Sequence, residues 1–261
     1  MIVLKRRNVL IISVLVITAL TIVFCLGALA KTASGNAEAA KIKIVLDAGH
    51  GGIDGGVSGV KTGVKESELN LAVVKKLEKY LTDAGMTVVL TRSSSAGLYG
   101  VAVGNLKKKD MKKRKEIIEK EKPVLVVSVH MNKFSSSTRR GAQVFYKNGD
   151  DEGKLLAESV QKSFNTMKEA PRTSSPLAGD YYILNCTNYP SIIAECGFLS
   201  NPEDEALLVT EEYQSSVAYA VFKGIVGYLT EASYAETLTK YYRMKIKQKK
   251  IARKSTGDLI F

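Results

Sequence analysis

Apolar residues recur with two different periods between residues 42 and 232. Ile42 to Leu46 is a short β-rich run that stops at Asp47-Ala48-Gly49-His50-Gly51-Gly52, where successive glycines demand a tight, permissive backbone. From Glu66 to Ala84 the period changes: Leu69, Val73, Leu77 and Leu81 recur every four residues and Gly85 follows, which predicts an amphipathic helix with a glycine cap. Met86 to Thr91 reads as a second strand, Asp110 to Glu121 as a charged helix, and Val124 to Val129 as a third strand, apolar enough to be buried on both faces. Gly141 to Tyr146 is a fourth strand, and Asp151 to Met167 a helix with Leu155, Leu156, Val160 and Phe164 on one face. Tyr181 to Leu184 and Ser191 to Ala194 read as a fifth and a sixth strand, and Glu211 to Ala232 as a long closing helix.

Strands alternating with helices of this length specify an α/β domain of three layers, a mainly parallel twisted sheet between helices. It occupies residues 41–232, with no second domain and no internal repeat.

The flanks read differently. Lys5, Arg6 and Arg7 precede the uncharged stretch Asn8 to Ala30, so residues 1–30 form an export segment, either a cleaved signal peptide or a retained membrane anchor. Residues 31–40 are a polar linker and residues 233–261 a basic tail. The protein is therefore expected outside the cytoplasm, and on the membrane if the segment stays uncleaved.

Composition adds a charge imbalance and a scarcity of histidine. The chain of 261 residues carries 38 Lys and Arg against 26 Asp and Glu, a formal charge of +12 that predicts attraction to polyanions. Eight of those cations lie between Lys240 and Lys254 and three precede the apolar segment, so the domain itself is nearly balanced. Export and the absence of Trp argue against nucleic acid as the partner. Cys186 and Cys196 do not make a disulfide framework, and buried free thiols are the expectation.

The scarcity of histidine bears on chemistry. The chain has only two histidines, and His50 follows the first strand while His130 follows the third. In open α/β sheets ligands bind just beyond the carboxyl ends of strands, so both imidazoles belong to one rim. Two imidazoles suggest a metal, and a catalytic zinc site wants a third protein ligand of His or carboxylate type. Glu66, Asp47 and Asp54 all compete for that place on spacing. Glu195 ends the sixth apolar run, where a general base would be placed. Asn132 is a candidate substrate contact or loop anchor, and Asp47 a candidate to orient His50 from behind. Ser93 to Asn105 is a Ser- and Gly-rich loop at the rim.

Four segments together, Ile44 to Gly56, Lys65-Glu66 leading into Leu69-Asn70-Leu71, Ser128-Val-His-Met-Asn132, and Ile193 to Pro202, resemble the zinc-dependent N-acetylmuramoyl-L-alanine amidases of the amidase-3 type. The resemblance covers about residues 42–230 and implies one Zn2+ per chain, held by His50, Glu66 and His130, with Glu195 as the catalytic glutamate. It implies peptidoglycan as substrate and hydrolysis of the amide between the lactyl group of N-acetylmuramic acid and L-alanine. Arg114 matches an arginine common in the family, whereas Glu119 stands where an asparagine is often found. The short N-terminal segment, the lack of wall-binding repeats and Glu-Cys-Gly-Phe-Leu-Ser-Asn at the catalytic strand look like the CwlD-type spore cortex amidases of spore-forming bacteria. That subtype implies a role in cortex maturation, toward muramic δ-lactam and germination, and an accessory exported protein as a partner. The competing readings are a zinc peptidase acting within the stem peptide, a general vegetative wall amidase and a non-catalytic wall binder.

Overall fold

A computed structural model of the chain describes residues 42–101 and 103–232. The export segment, the linker and the basic tail lie outside the described residues. Among those described, no helix is long and apolar enough to cross a membrane.

Six strands form one sheet: β1 (Lys43–Ala48), β2 (Thr87–Leu90), β3 (Leu125–Asn132), β4 (Gln143–Lys147), β5 (Leu177–Gly179) and β6 (Ser191–Phe198). Their spatial order is β2-β1-β3-β6-β4-β5. The strands β2, β1, β3 and β6 are mutually parallel, while β4 runs antiparallel to β6 and takes β5 with it. The helices are α1 (Glu66–Asp83), α2 (Leu106–Glu121), α3 (Asp151–Asn165), the single turn α4 (Tyr182–Asn185), α5 (Pro202–Leu208) and α6, helical over 211–232.

Two hydrophobic clusters explain why the sheet is central. Leu69, Val73, Leu77 and Leu81 of α1, Leu156 and Val160 of α3, and Val217, Val221 and Ile225 of α6 bury against one face. Ile118 of α2 with Ile183 and Leu184 of α4 covers Val45, Val126 and Ile193 on the other. Alternate residues of β1, β3 and β6, such as Ile44 and Val45, Leu125 and Val126, or Ile192 and Ile193, enter opposite clusters, so the middle of each strand is apolar on both faces, as expected for buried parallel strands. Asn105 caps α2 by accepting from Lys108 N–H at 2.9 Å, and Asp150 caps α3 by accepting from Gly153 N–H at 3.0 Å.

The structure corrects three details of the sequence reading. Tyr181 to Leu184 is not a strand: β5 lies just before it, and Ile183 and Leu184 reach the core from one helical turn. The third and sixth strands run on through His130 and Glu195, so both residues belong to strands instead of following them. The short helix α5 appears where no element was expected; Pro202 at its start and the Asn201 side chain, accepting from Glu203 and Asp204 N–H, initiate it.

Candidate metal centre and active site

The rim is built from three adjacent parallel strands. Ala48 at the end of β1 pairs with Val129 of β3, and His130 pairs with Glu195 of β6. The chain leaving β1 stays against β3, because Gly49 N–H donates to Val129 C=O at 3.1 Å. Gly49 is flush with the imidazole of His130: a Cβ there would lie 2.1 Å from its Cε1. His50 follows with a left-handed backbone, φ 60°. The two imidazoles sit edge to face, with ring centroids 5.1 Å apart.

Glu66 opens α1 and returns the chain to this rim. Its backbone N–H donates to Val57 C=O at 2.9 Å, and its Oε2 accepts from Val57 N–H at 2.9 Å, so the first helical turn and the glycine loop hold each other. Gly56, at φ 70°, leaves room for that carboxylate; a Cβ would sit 2.4 Å from Glu66 Oε2. The other oxygen, Oε1, lies 2.8 Å from His130 Nδ1 and 3.3 Å from His50 Nε2. Candidate ligand atoms of His50, Glu66 and His130 all fall within 4.8 Å of one another, so these three residues could hold a metal ion.

Electrostatics follow from this crowding. Burial disfavours the charge on Glu66, but the two imidazoles outweigh it and hold the carboxyl far below its ordinary range. Burial likewise opposes protonation of His50, yet Glu66 and Asp54 raise its pKa to about 9. Asp54, one of the carboxylates competing on spacing, lies 2.9 Å from His50 Nδ1, on the nitrogen that faces away from Glu66.

Glu195 is the fourth member. It is buried, its Oε2 has no hydrogen-bond partner among the described residues, and burial, reinforced by the charge of Glu66, pushes its pKa up to about 7 against the lowering by the histidines. These four residues line an open cleft of about 650 Å³, with Ile53, Tyr99, Tyr181 and Tyr182 among its apolar and aromatic walls.

Two weaker candidates, Asn132 and Asp47, border the same cleft but are engaged by neighbouring groups. Asn132 lines the cleft, but its side chain accepts from the next residue's N–H, Lys133, at 2.7 Å. Asp47 does not contact the His50 ring. Its carboxylate is taken by Thr91 and Ser128 hydroxyls, each at 2.6 Å, and by the guanidinium of Arg114. Glu119, the departure from the family pattern, sits on the outer face of α2 beside Lys115 at 3.5 Å, away from the rim. Cys186 and Cys196 are free thiols, the first half-buried and the second buried.

Three residues near the site were not singled out from the sequence. Asn70 donates to Gly49 C=O at 3.0 Å and to Glu66 Oε1 at 3.2 Å, a placement signalled by its position one turn after Glu66. Tyr99 accepts from Ile53 N–H at 2.8 Å and so ties its own stretch of chain to the glycine loop. Arg92, just beyond Thr91 and the end of β2 on the same rim, is buried and donates to Ala48, Gly49, Ser67 and Ser94 carbonyls.

Comparison with known proteins gives concordant matches. The family model for N-acetylmuramoyl-L-alanine amidase matches residues 44–227. The germination-specific N-acetylmuramoyl-L-alanine amidase of Bacillus subtilis is 34% identical over 192 residues, 72% of this chain and 80% of that protein. The fold is similar to the CwlD amidase of Clostridioides difficile, solved in complex with the GerS lipoprotein, with a TM-score of 0.71 and 35% identity over 73% of this chain and 99% of that one. It is also similar to the catalytic domain of CwlV, the amidase of Bacillus (Paenibacillus) polymyxa, with a TM-score of 0.63 and 31% identity over 72% of this chain and 98% of that one.

Proposed function

The chain belongs to the N-acetylmuramoyl-L-alanine amidase family and is an amidase of peptidoglycan, and on that premise we propose that His50, Glu66 and His130 hold one zinc ion and that Glu195 is the catalytic carboxylate. The observation that carries this reading is the convergence of the two imidazoles, His50 and His130, on one carboxylate oxygen, Glu66 Oε1, in the cleft that Glu195, with its unpartnered Oε2, also lines. Two nitrogen donors and one buried oxygen donor suit zinc. The anchoring of Glu66 by Val57 and the acid beside the far nitrogen of His50 are the kind of outer contacts that orient metal ligands.

When bound, zinc supplies Lewis acidity, polarising the amide carbonyl and making water acidic enough to attack it near neutral pH. The chain's own residues do the rest. Glu195 Oε2 accepts a proton from the attacking water, and returns it to the alanine nitrogen as the carbon–nitrogen bond breaks. A carboxyl raised toward neutrality by burial is suited to both transfers, which are typically worth about 10² to 10⁴ in rate. The products are a muramic lactyl carboxylate and a stem peptide with a free L-alanine amine.

The biological setting is spore cortex. This is supported by the likeness to a germination-specific amidase and to CwlD, which are similar along almost the whole domain. The amidase would bare muramic acid residues for a deacetylase and so lead to muramic δ-lactam. Because the CwlD structure is a complex with a lipoprotein, an accessory exported protein is proposed as a partner here too, and action outside the cytoplasm follows from the wall substrate.

The test is direct. The protein is incubated with zinc and defined peptidoglycan, and the products are identified by mass spectrometry, with and without metal stripping. Free L-alanine amines appearing only with metal support the reading. Cleavage inside the stem peptide would identify a peptidase, and activity surviving complete metal removal would refute the zinc assignment.

A further inference from the structure

Three successive carbonyls at the mouth of β1 are all held by buried guanidinium groups. Ala48 C=O accepts from Arg92 Nε at 2.8 Å and Arg114 Nη1 at 2.9 Å. Gly49 C=O accepts from Arg92 Nη2 at 2.9 Å, and His50 C=O from Arg114 Nη2 at 2.6 Å. Arg92 is 4% and Arg114 1% exposed, so neither head is a solvated surface charge. Their charge is balanced from beneath by Asp47, which binds Arg114, and by Asp110, 2.6 Å from Arg114 Nε.

This arrangement meets a strained backbone. Among the described residues only His50 and Lys122 combine a side chain with positive φ, and Lys122 merely ends α2. His50 lies inside a loop, where such a conformation persists only if its surroundings over-determine it. The two guanidiniums, each a rigid fork serving several acceptors, supply that constraint.

We propose that Arg114, together with Arg92, is a positioning residue that clamps the 48–50 backbone and thereby sets the His50 imidazole toward Glu66 and His130. The inference rests on the reading of His50 as a zinc ligand. Lysine at either position keeps the charge but offers its donors from one point, so it cannot serve all the acceptors that the fork serves.

The test measures zinc affinity of the full chain by competition with a chromophoric chelator, alongside thermal unfolding of the zinc-free protein. Arg114→Lys and Arg92→Lys are each expected to weaken zinc binding about 10- to 100-fold, as loss of outer support for a metal ligand does. Gly224→Ala, which crowds α6 against Val160, is expected to lower stability and leave zinc affinity unchanged. Cobalt substituted for zinc is expected to show shifted absorption bands in the arginine variants only. If Arg114→Lys does not fold, Arg92→Lys decides. Wild-type zinc affinity in the folded arginine variants overturns the proposal, as does an affinity loss that follows thermal stability equally in all three proteins. His50→Ala separates the two readings: wild-type zinc affinity in that variant would remove His50 as a ligand and the clamp with it, whereas weak binding there with intact binding in the arginine variants defeats the clamp alone.

Discussion

His130 on β3 and Glu195 on β6 are direct register partners across a parallel strand pair. Glu195 is paired on its other side with Gln143 of β4. The floor of the cleft is thus fixed by the middle of the sheet, while His50 and Glu66 are delivered by the loop and helix that follow β1. The site joins a rigid half to a half held by hydrogen bonds, and each half can be perturbed separately.

Gly49→Ala tests the contact between the halves. A Cβ would meet three atoms of the His130 ring at 2.1 to 2.6 Å, so the imidazole or the loop must move. Overpacking of this kind destabilises by about 1–3 kcal/mol. The expected outcome is a folded protein with sharply weakened zinc binding, read by metal titration and circular dichroism; wild-type zinc affinity would show that the ring can yield harmlessly.

Zinc is expected to stabilise the fold by mass action, because its three proposed ligands are far apart in sequence and meet only in the native state. Free zinc at a hundredfold excess over its Kd should add about 2.7 kcal/mol to unfolding. Thermal melts with and without zinc check this, and an unchanged melting temperature under saturating metal would contradict it.

Asp47 gives the acid limb of stability. Burial alone would raise its pKa, but the Arg114 charge and the hydroxyls of Ser128 and Thr91 hold it below the usual carboxylate value. As pH falls, the unfolded chain therefore takes up a proton first. The stability this group contributes is full above about pH 4 and is lost as pH drops through the depressed folded value. Asp47→Asn should destabilise at pH 7 by about 3 kcal/mol, because Arg114 stays buried with one partner fewer, and should lose less on acidification than wild type. Urea unfolding from pH 7 to pH 2 measures both effects.

Gly224→Ala addresses the opposite side of the sheet. Its Cβ would lie 2.5 Å from Val160 Cα, and backbone cannot give way as a flexible side chain can. A loss of about 1–3 kcal/mol is expected from the separation of α3 and α6, with hydrolysis at permissive temperature unaffected. Denaturant titration and a muropeptide assay check the two parts.

Much of this architecture was legible because its signals were periodic or scarce. The four-residue recurrence from Leu69 to Leu81 specified α1, and His50 and His130 were conspicuous as the only imidazoles in the chain. The boundaries were less legible. His130 and Glu195 interrupt apolar runs, so polarity suggested strand ends; in fact both strands continue, since backbone pairing across the sheet does not depend on the side chain. Tyr181 to Leu184 is four residues long, too short for the strand period to differ decisively from the helical one. The Asn201-Pro202 start of α5 did carry a capping signal. Of the arginine clamp, Arg114 stood out only through the family resemblance and Arg92 not at all, because both reach carbonyls 43 to 66 residues away in sequence.

In the proposed mechanism Glu195 moves protons at a zinc site which it does not itself build. The most direct measurement is to load wild type and Glu195→Gln with zinc, determine bound metal, and follow release of L-alanine amines from peptidoglycan. Equal metal content and a fall in hydrolysis of about 10² to 10⁴ in the variant are expected. Near-wild-type turnover by metal-loaded Glu195→Gln would overturn that role.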